Sequence, residues 1–385
     1  MGKEHRNSAR YGYIDALRGL AVLGVVVVHV ANSMMIPSDN LNALLSSGAR
    51  GVQLFYIVSS FTIIMSLASR GNQDQVSWTQ FYIRRFFRIA PMFYLAVVYY
   101  LFTDGVTSSY WAPDGLEWWA VPLNFTFLHG WHPETINSLV PGGWSIAVEV
   151  TFYLLVPLIF FWVNSISRVL IFVFLVLAFM SVANEVLPRF LISVLDYEKD
   201  KQYLATHFFS FWFFSQLPVF AIGVLCYYVA ARVTTHDRFV SLACLAIFVV
   251  IFLLFSLEII QSSYIPPHIG CSIAFVFLLL GLKIHPWKII VNRLATTLGK
   301  ISFSVYIVHF AVIKKTVYIM VPVLQNFGLM GLFAYFCIVM LATVIISSIT
   351  YKLIEKPFIL IGKNFFKRRV CGEKIVNFRR KFRHI

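Results

Sequence analysis

The sequence predicts an all-α fold: a polytopic bundle of transmembrane helices with about ten spans. Three observations carry that prediction. Of 385 residues, 59% are hydrophobic and 13% charged, about half the charge of an ordinary soluble domain. Mean hydropathy is +0.77. Apolar runs of about 20 residues, enough to cross roughly 30 Å of hydrocarbon, recur along almost the whole chain. Helices are the expected spanning form because each satisfies its own backbone N–H and C=O groups.

The spans are expected near 13–36, 50–69, 89–103, 144–163, 168–187, 208–231, 239–257, 264–282, 301–320 and 328–352. Between the third and fourth lies a weakly apolar stretch, "LEWWAVPLNFTFLHG". It is short and interrupted, which predicts a re-entrant or interfacial segment near 116–130, or else an eleventh helix. Charge distribution tests the threading. Placing the N-terminus inside puts 25 of the 32 Lys and Arg on the cytoplasmic side and four outside. That asymmetry predicts cytoplasmic termini, as the positive-inside rule requires. The expected division is a membrane-embedded domain over 1–360 and a basic tail over 361–385. The tail alternates Lys and Arg with apolar residues, the pattern of an amphipathic anchor on anionic lipid.

Other function classes lose ground on the same composition. The net charge of +15 could suit nucleic acid, but its concentration in alternate loops is what membrane topology demands. The first apolar segment is too long for a cleaved signal peptide, and no small-residue cleavage site follows it. Five cysteines show no metal or disulfide spacing, and four of them lie in apolar runs. No phosphate loop, zinc motif or nucleophile elbow is present, so no metal is expected.

Function is sought in the ionisable residues within spans, because each is costly there unless paired or hydrated. On the first helix, Asp15 and Arg18 are i,i+3 neighbours. Their pairing fits a structural anchor and a functional site equally. His29 lies three turns further along the same face, about 16 Å deeper. In "FYIRRFFRIAP", Arg84, Arg85 and Arg88 are interleaved with aromatics. Guanidiniums grip phosphate bidentately and stack on planar rings, so this cluster suits a ligand with several phosphates and a base. Topology and lipid headgroups also account for three basic residues. In "PGGWSIAVEV", Ser145 and Glu149 share a face, and Ser145 has the position of an N-cap. In "ISFSVYIVHF", Ser302, Tyr306 and His309 share a face near mid-membrane. Glu355 sits beside Lys352 and Lys356, which reads as a local ion-pair cluster. His129 and His132, in the outer segment, read as solvated or as contacts for an acceptor.

Six motifs in order resemble the acyltransferase-3 family of integral-membrane acyltransferases. They are "YIDALRGLAVLGVVVVHV", "GVQLFYIVSSFTI", "FYIRRFFRIAP", "WSIAVEVTFYLLVPL", "ISFSVYIVHF" and "YKLIEKPF". The chain departs from the family at Gln53 and Ser60, where relatives commonly carry Asp and Gly. The resemblance implies a multi-pass O-acetyltransferase of the bacterial inner membrane, of the type without an appended esterase-like domain. It implies acetyl-CoA as cytoplasmic donor, held by Arg84, Arg85, Arg88 and Arg18. The implied acceptor is a sugar hydroxyl of a surface glycan: an O-antigen (lipopolysaccharide), capsule or exopolysaccharide unit, often lipid-linked. Trp144, Ser145 and Gln53 are then the candidates to face that acceptor. His29 would act as general base, or as an acyl-histidine relay. Glu149 would orient His29, and Tyr306 and His309 would donate to the oxyanion. Membrane lipid is an expected partner, nucleic acid is not, and a homo-oligomer is compatible. The alternative is a polytopic transporter or flippase of glycan or acyl intermediates. The lack of a visible internal repeat argues against the common transporter folds.

Overall fold

The computed structural model describes residues 11–34, 36, 38–69, 76–262 and 265–365. Nine helical runs among them are long and apolar enough to cross a membrane. The last run, Ser302–Phe365, contains two 23-residue helices joined by a short turn, so ten helices of spanning length occur among the described residues, the number that hydropathy predicted. No named strand occurs among the described residues. The part of the basic tail beyond residue 365 lies outside them.

In chain order the helices are α1 (Gly12–Ala31), α2 (Asp39–Ser46), α3 (Gly51–Ala68), α4 (Trp78–Thr103), α5 (Ala120–Phe125), α6 (Gly143–Trp162) and α7 (Ile166–Val194). They continue with α8 (Tyr203–Phe211), α9 (Phe213–Arg232), α10 (Arg238–Ser256), α11 (Pro267–Ile284), α12 (Arg293–Lys300), α13 (Ser302–Leu324) and α14 (Gly328–Thr350). The first helix is central, packing against α3, α12, α13 and α14. By contrast only 17% of the apolar stretch of α7 and of α10 is buried, and side chains such as Phe174, Leu175, Phe239 and Val250 are exposed on the outside of the bundle.

Lipid is as apolar as leucine, so these helices gain little by hiding hydrocarbon from one another. Close backbone approach supplies the cohesion instead. Gly299 on α12 shows how close. A Cβ there would lie 1.7 Å from the Asp15 carbonyl oxygen, so only glycine fits, and α12 is clamped beside the turn that carries Asp15 and Arg18.

Two element boundaries differ from expectation in ways that position the site. The third span begins at Trp78, not near 89, with Ser77 accepting from the Gln80 amide as N-cap. The arginine motif therefore rides on the helix itself and is aimed by it. Between α4 and α6 the chain does not cross: α5 has six residues, a rise of about 9 Å. A single 3₁₀ turn, Leu128–Trp131, follows it. The segment instead enters the bundle, where His129, Thr135, Ile136 and Leu139 are buried. His129 Nε2 meets the Gly143 carbonyl at 3.1 Å, and its ring stacks on Phe93. This corrects the expectation that His129 is solvated: the re-entrant chain uses it to brace the start of α6.

Candidate active site

The basic end of the bundle holds a cavity of about 330 Å³. Arg18 from α1, Arg84, Arg85 and Arg88 from α4, and Lys300 from α12 line it. Asp15 and Glu355 are its carboxylates. Arg18 Nη1 donates to Asp15 at 3.3 Å, and its other terminal nitrogen reaches the Thr62 hydroxyl at 3.5 Å. The Arg85 guanidinium lies over the rings of Tyr153 and Phe81, at 5.1 and 5.6 Å. Cation–π contact steadies that group without neutralising it. The Arg84 Nε is buried without a hydrogen-bond partner. Among the described residues, Arg84, Arg85 and Arg88 make no ion pair, so their charge is uncommitted.

Glu355 corrects a sequence expectation. Its carboxylate is buried and accepts from Ser304 Oγ at 2.7 Å, while Lys352 and Lys356 are exposed and unpaired with it. The cause is local. The chain after α14 widens into a π-helical turn over Tyr351–Glu355, which rotates Glu355 inward relative to an α-helix. Nothing in the spacing of "YKLIEKPF" announces that turn.

A second, smaller cavity of about 70 Å³ lies deeper, and Arg18, Arg85 and Arg88 border it as well. Its far wall carries Ser145, Glu149, Tyr153, Ser302 and Tyr306. Here Ser145 is not the N-cap that its position suggested. Gly142 caps α6 at φ 77°, a left-handed conformation that glycine adopts without penalty. The Gly142 carbonyl receives Ser145 Oγ at 2.9 Å and the Tyr306 hydroxyl at 3.1 Å. The two hydroxyls stand 2.7 Å apart. Three contacts share two protons, so one proton can turn to another acceptor without a buried oxygen losing its last partner.

Glu149 meets partners that the sequence did not single out. Its Oε1 accepts from Ser59 Oγ at 2.7 Å and from the Tyr153 hydroxyl at 2.5 Å. Neither bond comes from His29. Tyr153 thus connects Glu149 to Arg85, holding a carboxylate between the cationic chamber and the hydroxyl pair. Ser59 and Tyr153 were not anticipated, because their spacing is indistinguishable from ordinary packing.

The histidines do meet. The His29 and His309 rings lie 5.4 Å apart at 41°, and Phe310 packs on both. Tyr306 is 5.8 Å from His309. His309 Nδ1 faces the Val305 carbonyl at 3.2 Å, which assigns the Nδ1–H tautomer and leaves Nε2, buried and unpartnered, as an acceptor. Among the described residues, no hydrogen bond to the half-buried His29 ring occurs.

Trp144 and Gln53 are not brought to either cavity. Trp144 packs against Phe211 and edge-on to Tyr56. Gln53 donates to Gln216 at 3.0 Å, in the buried contact between α3 and α9. Trp144 backs the wall behind Ser145 through Tyr56, whose hydroxyl donates to the Ser145 carbonyl at 3.1 Å.

Comparison with known proteins decides the family. The acyltransferase-3 model, described as "Acyltransferase domain", matches residues 11–352. The chain belongs to the acyltransferase-3 family. Its relatives include the O-acetyltransferase OatA of Staphylococcus aureus strains NCTC 8325, COL and MRSA252, each 24% identical over 384 residues. Each match takes in 92% of this chain and 57% of the relative, so the chain spans little more than half the length of those proteins. No solved structure matches it. This acyltransferase domain holds no group of three or more metal-ligating side chains among its described residues.

Proposed function

We propose that the protein is a membrane-bound O-acetyltransferase. It moves an acetyl group from cytoplasmic acetyl-CoA to a sugar hydroxyl of a cell-surface glycan, with the basic end of the bundle facing the cytoplasm of a bacterial inner membrane. One observation carries this reading. Arg18, Arg85 and Arg88 wall both cavities, so a cationic chamber at one end leads directly to the Ser145 and Tyr306 hydroxyls within the bundle, and the Tyr306 ring lies 5.8 Å from that of His309.

The residues present fit the donor. Arg84, Arg85 and Arg88 offer uncommitted guanidiniums for its phosphates, with Lys300 beside them. Aromatic rings between the arginines suit its base. Bound there, the donor supplies an acetyl group already activated as a thioester. This chain's own groups then do three things. His29 has a free ring nitrogen, takes the proton of the acceptor hydroxyl as that oxygen attacks, and returns it to the thiolate that leaves as the thioester C–S bond breaks. His309, fixed with Nε2 as an acceptor, stands beside His29 to share the resulting charge. Ser145 and Tyr306 turn one of their two protons toward the carbonyl oxygen as it becomes negative.

The test uses membranes from cells making the full chain, with radiolabelled acetyl-CoA and the host's own surface glycan. His29→Ala is expected to abolish transfer at unchanged membrane abundance. The pair Arg85→Gln and Arg88→Gln is expected to raise the donor KM more than it lowers kcat. Undiminished glycan acetylation by His29→Ala would refute the assignment.

A further inference from the structure

A third cavity, of about 660 Å³, lies between α1, α3, α9 and α11. It shares no lining residue with either cavity of the candidate active site. Helix α3 stands between it and the arginine chamber. Phe61 and Met65 line the one, and Ile63, Ser66 and Leu67 line the other.

Rim and floor of this cavity differ in chemistry. Thr234, His236 and Lys283 stand at the rim, where the spans end. There α9 closes at Arg232, α11 closes at Ile284 and α1 begins at Gly12. Where several spans end together, the surroundings change from hydrocarbon to lipid headgroups. The floor is apolar: Phe61, Met65 and Tyr227, with the Phe61 and Tyr227 rings edge-on at 6.1 Å. Phe61 lies seven residues before Ala68, the last residue of α3, so the cavity runs about 10 Å inward from the helix ends.

Lys283 is a fixed cation at that rim. Its Nζ donates to the Ala230 carbonyl at 2.5 Å and to the Val233 carbonyl at 2.7 Å, closing the end of α9. An ammonium carries three donors, so one N–H is left. Lys283 makes no ion pair among the described residues, and neither Asp nor Glu is among the residues that line the cavity. The arginine chamber, by contrast, contains two carboxylates of its own.

We propose that this cavity is a lipid site, taking the phosphate of an anionic phospholipid from the leaflet at that end of the bundle. Lys283 meets the phosphate as a positioned point charge, with Thr234 and His236 beside it. The glycerol and the first part of an acyl chain lie over Phe61, Met65 and Tyr227. A free phosphate would cover none of that floor, so a polar rim above an aromatic floor fits an amphiphile better. Basic pockets between membrane helices hold phospholipid headgroups by the same combination. The site is separate from the donor path and does not depend on the transferase reading.

The test is native mass spectrometry of the purified, delipidated full chain with added phosphatidylglycerol. The wild-type protein is expected to keep a bound phosphatidylglycerol against an excess of inorganic phosphate. Lys283→Gln leaves an N–H donor at the end of α9 but removes the charge, and should weaken retention of that lipid about fivefold. Ala231 is exposed and lines the cavity; Ala231→Trp fills the space without touching the cation and should lower the number of retained lipids by one. The double variant Arg85→Gln and Arg88→Gln should keep the lipid, which separates this cavity from the arginine chamber. Displacement by inorganic phosphate would mark a free-anion site and overturn the proposal. Unchanged retention in both Lys283→Gln and Ala231→Trp, or loss of the lipid in the arginine double variant, overturns it as well.

Discussion

Replacing Tyr306 with Phe separates catalysis from stability more cleanly than any other change at this site. The ring stays, so the cavity keeps its shape. The hydroxyl goes, and with it the 2.7 Å contact to Ser145 and the 3.1 Å contact to the Gly142 carbonyl. Gly142 still receives Ser145 Oγ at 2.9 Å, so no buried acceptor is orphaned. The cost in stability is then that of one ordinary hydrogen bond, about 1 kcal/mol. The cost in rate is larger if Tyr306 supplies a proton to the developing oxyanion. Loss of one such donor costs about 2.7–4 kcal/mol, on the order of a hundredfold to a thousandfold in kcat. The assay is initial-rate acetyl transfer in membranes with matched protein abundance, beside a melting curve of the purified protein in detergent. A kcat within threefold of wild type refutes the donor role. A rate loss that merely follows the melting curve refutes it equally.

Two further predictions concern the scaffold. Gly299→Ala forces a Cβ to within 1.7 Å of the Asp15 carbonyl oxygen. Overpacking of this kind costs about 1–3 kcal/mol, so the thermal midpoint should fall by several degrees; an unchanged midpoint means that the α1–α12 contact is not tight. Burial holds the His129 imidazole of the re-entrant segment down at about 4. The unfolded chain binds that proton near 6.5. Stability from this group is therefore complete above pH 6.5 and is lost as pH falls from 6.5 toward 4, by about 3 kcal/mol at most. His129→Gln should flatten the pH dependence of the midpoint across that window, and an unaltered slope would show that His129 is not the group responsible.

The spans were readable because bilayer thickness imposes a length and a composition, and both are visible in one dimension. The arginines, Tyr306 and the two histidines were readable because polar groups inside apolar runs stand out. Their grouping was only partly readable. Helical periodicity placed Ser302, Tyr306 and His309 on one face, and Ser302 and Tyr306 do line the deeper cavity. Periodicity has no information about the neighbouring helix, so the pairing of Glu149 with Ser59 and Tyr153 was out of reach. The same holds for Gln53 and Trp144, which lie beside the site and outside its cavities. Glu355 misled for a different reason. Adjacent lysines suggest an ion pair, but one π-helical turn reverses which side chain faces inward.

By itself, then, the sequence determined that this chain crosses the membrane about ten times, that it carries the family's six motifs, and which side chains are too expensive to be accidental. The tertiary structure decided what those side chains touch. It joined the arginine chamber to the Ser145–Tyr306 hydroxyls, set His29 against His309, and packed residues 129–140 into the bundle without a further crossing. The physical reason is that hydropathy and periodicity are properties of a single helix in its solvent. The chemistry at this site depends on contacts between helices, and those are set by where backbones can approach, as at Gly299, and where a helix departs from α geometry, as at Glu355.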